Sequence, residues 1–122
     1  VFVADSQRSA SSGNAYSYRD LEANLRAKGP DTQQMPTVVQ VNKRDLEDIK
    51  PLEEIRKAWD GTGIPTIPAA AAKGEGVIET LEALLQRLYP LYPSSRKLAA
   101  HLKISHTIIA NKLRRYGIRK TA

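Results

Sequence analysis

Between Leu102 and Ser105 stand only Lys103 and Ile104, and on either side of them apolar residues recur at helical spacing. Leu98, Ala99 and Leu102 lie before the gap; Ile109 and Leu113 lie after it, with Ile118 beyond. Two short amphipathic helices joined by so tight a corner can bury their apolar faces only along a common seam, which is the arrangement of a helix-turn-helix. The expected seam is Leu98, Ala99, Leu102, Ile104, Ile109, Leu113 and Ile118. Ser94 or Ser95 can cap the first helix and Ser105 the second, each through a side-chain oxygen that accepts from an open backbone N–H. Gly117 stops the second helix.

Charge marks the same stretch. Residues 1–93 hold eleven lysines and arginines against all thirteen acids, a balance of −2, whereas residues 94–122 hold the other eight and no acid, a balance of +8. Such a surface suits a polyanion, because cations that neutralise phosphates release condensed counterions. A solvated basic arm would carry the same charge, and the apolar spacing is what argues for a folded unit. The chain contains no cysteine, which excludes disulfides, thiolate zinc sites and a cysteine nucleophile. Two histidines with no nearby carboxylate or thiol make a poor ligand set, so no metal is expected. No apolar run reaches the length of a membrane span and no secretory signal opens the chain, so no membrane partner is expected and a cytoplasmic setting is.

From Arg96 to Ile118 the segments RKLAAHL, ISHT, IANKL and RRYGI occur together and in register. This stretch resembles the C-terminal DNA-binding unit of Fis-type bacterial regulators, and most closely that of TyrR-type transcription factors. The resemblance implies sequence-specific binding of double-stranded DNA at the nucleoid, and proteins of this type usually act as dimers. The sequence departs from many such motifs at Lys103, where the turn often carries glycine and a left-handed lysine is less comfortable. With Ile109 and Leu113 turned inward, His106, Thr107, Ala110, Asn111 and Arg114 lie on or beside the outer face of the second helix and are the expected base contacts. Asn111 can pair twice with adenine and Thr107 can offer a hydroxyl. Arg96, Lys97, Ser105, Lys112, Arg115, Arg119 and Lys120 are the expected phosphate contacts, which position the protein without reading sequence. His101 reads as a plain surface histidine.

The first 93 residues follow another period. Three β-branched runs, VFVA from Val1, TVVQVN from Thr37 and IPTIPAA from Ile64, alternate with segments of helical spacing, which predicts parallel strands with crossover helices. Tyr18, Leu21 and Leu25 mark one helix, closed by Gly29 and Pro30. Leu52, Ile55 and Trp59 mark a second, opened by Pro51. Val77, Leu81, Leu84, Leu85 and Leu88 mark a third that runs toward Pro90.

Two loops follow the second and third strands at their carboxyl ends, where open α/β sheets bind ligands: Asn42-Lys43-Arg44-Asp45 and Ala71-Ala72-Lys73-Gly74. Alone, the first would pass for a solvated charged loop. With the strand before it, the second loop and the helix after that, residues 1–89 resemble the latter half of a Ras-like GTPase domain. VFVADSQ, MPTVVQVNKRDL and AKGEGV look most like the bacterial MglA-type gliding-motility GTPases. The resemblance implies a guanine site: Asp45 accepting both N–H groups of the base, Asn42 tying the loops, the Lys43 stem packing on the ring, and Ala71, Ala72 and Lys73 presenting a backbone N–H to the guanine oxygen. Alanine stands here where that superfamily's second loop carries serine.

No G-x-x-x-x-G-K-[ST] occurs, so nothing in the sequence cradles phosphates or holds magnesium, and no catalytic residue is assigned. Guanine nucleotide is expected to bind weakly if at all, no other cofactor is expected, and the chain is not expected to hydrolyse GTP. Val1 already opens a strand, so the sequence reads as a gene fragment or a fusion, and the unpaired edge of a small sheet invites a second copy. The expected fold class is an α/β N-terminal part, a partial G domain of about three parallel strands with helices over 1–89, followed by an all-α helix-turn-helix over 90–122. Leu84, Leu85, Leu88 and Tyr92 can cover the seam of the two short helices. The leading function is DNA binding by a regulator fused to a truncated GTPase-like domain. The alternative is a fragment of a small MglA-like GTP-binding protein.

Overall fold

The computed structural model describes residues 1–29 and 35–118. The chain divides into two compact units, 1–80 and 81–122.

The first unit is built on three parallel strands in the order β1-β2-β3: β1 Phe2–Asp5, β2 Val39–Asn42 and β3 Thr66–Pro68. Phe2, Val3, Ala4 and Asp5 stand opposite Val39, Gln40, Val41 and Asn42, and Val39 in turn stands opposite Thr66. Val39, Gln40 and Val41 are all buried, as expected of a middle strand covered on both faces. On β1 burial alternates, with Phe2 and Ala4 turned into the core and Val3 exposed. The third strand is shorter than the apolar run from Ile64 to Ala70, because Pro65 and Pro68 offer no N–H to a ladder. The ladder continues past it through the Ala69 N–H, which donates to the Val41 carbonyl at 2.8 Å.

Helix α1 spans Ser11–Ala27 and α2 spans Leu52–Ala58. Tyr18 and Leu21 of α1, and Leu52, Ile55 and Trp59 of and after α2, pack against the core of Phe2, Ala4, Val39 and Val41. Phe2, Tyr18 and Trp59 form an aromatic group in which Tyr18 meets both others edge-on, with Tyr18 and Trp59 ring centroids 4.7 Å apart at 84°. On the other face, the buried Gln40 amide donates to Thr80 Oγ1 at 3.0 Å, and that hydroxyl donates to the Gly76 carbonyl at 2.7 Å. Gly76 has φ +79°, and a Cβ there would come within 2.7 Å of the Ala69 backbone. Only glycine lets the chain turn this close to the strand end.

Helix α3, Val77–Leu88, begins in the first unit and belongs to the second from Leu81 on. The unit boundary falls inside this helix, whereas the proline-based reading divides the chain after Tyr89. The second unit adds α4, Ser95–Leu102, and α5, His106–Arg115. Leu85, Leu88, Leu98, Ala99, Ile109 and Leu113 are its buried core, flanked by Leu81, Leu84, Tyr89, Tyr92, Leu102, Tyr116 and Ile118. The last turns of α3 thus cover the seam between α4 and α5. Ile104 corrects the expectation made for it: it is 45 % exposed and lies outside that core, because the corner that reverses the chain carries it to the surface.

Candidate nucleic-acid interface

The two short helices are fixed at their ends by local hydrogen bonds. Ser94 Oγ accepts from the Lys97 N–H at 3.0 Å and caps α4. At the far end Lys103 adopts the left-handed conformation, φ 56° and ψ 41°, and the Ile104 N–H donates back to the Ala99 carbonyl at 3.1 Å. This is the reversal that glycine ordinarily supplies, here made by a lysine at a conformational cost. Helix α5 ends the same way at Gly117, φ +68°, with the Ile118 N–H donating to the Leu113 carbonyl at 2.9 Å.

The start of α5 differs from expectation. Ser105 occupies the cap position, but its side chain makes no capping hydrogen bond. A contact between the two helix starts stands nearby instead: His106 Nε2 and Ser95 Oγ share a hydrogen bond of 2.8 Å. His101, the plain surface histidine of the sequence reading, is exposed yet stacks on Tyr92, with ring centroids 4.2 Å apart at 19°. Neither contact has a periodic signature, since each joins residues brought together only by the fold.

Around α5, Ile109 and Leu113 point into the core, and Thr107, Asn111 and Arg114 are exposed along the opposite side at helical spacing, with Arg115 beside them. Of the other expected base contacts, His106 is exposed and held to Ser95, and Ala110 is half-buried on the flank. Arg96 and Lys97 are exposed in the first turn of α4, Ser105 is exposed in the corner, and Lys112 is half-buried. Arg119 and Lys120 lie outside the described residues. Sequence reasoning passed over Ile108, which is 49 % exposed one position after Thr107. Its signal was present as an isoleucine outside the seam spacing.

No carboxylate pairs with Arg96, Lys97, Lys103, Lys112, Arg114 or Arg115 among the described residues. Neither α4 nor α5 carries an acid in its first turn, where a negative charge would favourably meet the helix dipole. Arg96 and Lys97 stand at the positive end of α4 instead. The surface keeps its positive charge at some expense to the helices, and it can hold phosphates while polar side chains of α5 meet base edges.

The second expected constellation lies in the first unit. Asn42 Oδ1 accepts from the Ala71 N–H at 2.9 Å, which joins the loop after β2 to the short turn Ala71–Lys73 after β3. Asp45, Ala72 and Lys73 are exposed around this bond. Lys43 has φ 64° and its ammonium donates to Asp5 Oδ2 at 2.9 Å. Asp5, at the end of β1, was not singled out from the sequence. Its backbone N–H and carbonyl are both taken by the Asn14 side chain, and its carboxylate also accepts from the Gln7 N–H at 2.9 Å. Burial alone would raise the Asp5 carboxyl, but the Gln7 N–H and the Lys43 ammonium together hold it below the usual carboxylate value. No group of three His, Cys, Asp or Glu side chains is placed to hold a metal among the described residues, and no described helix is long and apolar enough to cross a membrane.

Comparison with known proteins divides the chain in the same way. A family model described as a helix-turn-helix domain matches residues 75–119. The C-terminal region is similar to HTH-type transcriptional regulatory proteins TyrR: 64 % identical over 36 residues to that of Enterobacter agglomerans, covering 30 % of this chain and 7 % of the relative. The TyrR of Citrobacter braakii is 49 % identical over 59 residues, covering 41 % of this chain and 12 % of the relative. The N-terminal region is similar to the mutual gliding-motility protein MglA of Myxococcus xanthus, 44 % identical over 84 residues, covering 69 % of this chain and 43 % of the relative. The chain therefore spans less than half the length of each of these relatives. It carries a helix-turn-helix domain, similar to part of the TyrR transcriptional regulatory proteins, after a segment similar to part of MglA.

Proposed function

We propose that the second unit binds duplex DNA with sequence selectivity, α5 lying in the major groove, and that the protein acts as a regulator of transcription at the bacterial nucleoid. The observation that carries this reading is an unpaired cationic surface, free of acids, on a folded pair of helices whose second member exposes Thr107, Asn111 and Arg114 in a row. The names of the TyrR relatives support it. His106 and Ala110 flank that row, while Arg96, Lys97, Ser105, Lys112 and Arg115 hold phosphates; Arg119 and Lys120 extend the same role. A second copy of the chain is the partner on a target with two half-sites.

The test is duplex binding followed by anisotropy at low and moderate salt. Affinity falls steeply with salt, and Asn111→Ala lowers affinity for a selected site by about tenfold or more while leaving bulk duplex binding nearly unchanged. Binding that ignores salt, or an Asn111→Ala variant that keeps full selectivity, overturns the reading.

The Asn42–Ala71 hydrogen bond favours a second reading for the first unit, in which the two tied loops recognise a guanine base. Asn42, Lys43, Asp45, Ala71, Ala72 and Lys73 form the site, and with no phosphate-cradling motif in these 122 residues the affinity is low and comes from the base. Calorimetric titration with guanosine and GDP tests it: both bind comparably, and Asp45→Asn abolishes both.

A further inference from the structure

We infer that Ile108 contacts a thymine methyl group in the major groove and so determines which bases the interface accepts. The inference deepens the duplex-binding reading and rests on it. Ile108 is the third residue of α5, in the part of a recognition helix that comes nearest to base edges, and it is 49 % exposed. Along the helix it neighbours Thr107, stands one turn before Asn111 and Lys112, and lines up with Arg115 two turns on.

The side chain lies outside the buried core. Ile108 belongs to neither core cluster, and a β-branched residue on an exposed helix face is a poorer helix former than alanine. What it faces follows from its surroundings. The cations Lys103, Lys112, Arg114 and Arg115 share this helix and its approach, with no acid after Glu82 in the chain. An apolar protein partner seated here would have to desolvate those charges without pairing them. A duplex meets both requirements, phosphates for the cations and, on the floor of the major groove, the C5 methyl of thymine as the apolar group for an isoleucine. Ile104, comparably exposed at 45 %, lies in the corner before α5 rather than on the helix.

The experiment selects duplexes that the purified chain binds from a randomised pool, then replaces each thymine of the selected site by deoxyuridine, one at a time, which removes only a methyl group. At one or two positions the replacement weakens the wild-type protein roughly fourfold, the worth of one buried methyl-sized group. Ile108→Ala binds the thymine site about as weakly as the wild type binds the uracil site, and shows no further loss when that thymine is replaced. Alanine favours the helix, so the variant folds, as its circular dichroism verifies. Three results overturn the inference while leaving duplex binding intact: a wild type indifferent to uracil everywhere, an Ile108→Ala variant with undiminished sensitivity, or sensitivity lost in Ile104→Ala instead. A change of oligomeric state in Ile108→Ala with base preference intact reassigns the residue to a protein contact. If no duplex is enriched and binding does not respond to salt, the duplex reading itself fails and takes this one with it.

Discussion

At the scale of single residues, three positions show how local backbone demands are met, two by a side chain and one at a cost. Ser94 satisfies the first turn of α4, and Ser94→Ala is expected to cost about 1 kcal/mol, read as a lower denaturant midpoint for the second unit. Lys103 holds a left-handed corner that glycine would adopt without strain. Lys103→Gly is expected to stabilise the unit by roughly 0.5–1 kcal/mol, the relieved strain less the added freedom of the unfolded chain, measured by the same midpoint. Asp5 is the third. Its carboxyl lies below the ordinary value in the folded chain, so the unfolded chain takes up a proton more readily. Its contribution is therefore complete above the ordinary carboxylate range and is lost as pH falls through the folded value. Thermal midpoints taken between about pH 5 and pH 2.5 are expected to fall less steeply in Asp5→Asn than in the wild type. The left-handed Lys103 was legible through the resemblance, as a lysine where many such turns carry glycine. The Lys43–Asp5 and Ser95–His106 contacts were not, because a pairing across 38 or 11 residues leaves no trace in local spacing.

At the scale of elements, the sequence was informative wherever burial imposes a period. All three strands, the helices marked by Tyr18, Leu52 and Val77, and both members of the helix-turn-helix stand where apolar spacing put them. It was least informative at ends. The third strand is clipped by Pro65 and Pro68, α1 begins at Ser11 well before its first packed residue, and Ile104 leaves the seam because the turn, not the period, sets its direction. The helix face was legible as a face, yet Ile108 escaped notice because an apolar residue outside the buried stripe looks like noise until its surroundings are seen. The turn into α3 depends on Gly76, whose φ of +79° and approach to Ala69 leave no room for a side chain. Gly76→Ala is expected to destabilise the first unit by about 1–3 kcal/mol, monitored by the fluorescence of Trp59, the single tryptophan.

At the scale of the whole molecule, two compact units of opposite charge are joined through one helix, and each resembles a part of a different kind of protein. The balance of −2 before Ser94 and +8 from it means that the net charge describes neither half. If the six described cations from Ser94 on engage a duplex, the logarithm of affinity is expected to fall with the logarithm of salt at a slope of about −5, and the double variant Arg96→Ala with Arg115→Ala to flatten it by about 2. Helices α4 and α5 both open without an acid, and α4 opens with two cations, so each N-terminus lacks the countercharge that would settle it. A nucleic acid phosphate brought to those ends becomes the anion that the polypeptide did not encode. Heating the protein with and without its target is then expected to report binding directly, with the melting point climbing as the ligand concentration exceeds its dissociation constant.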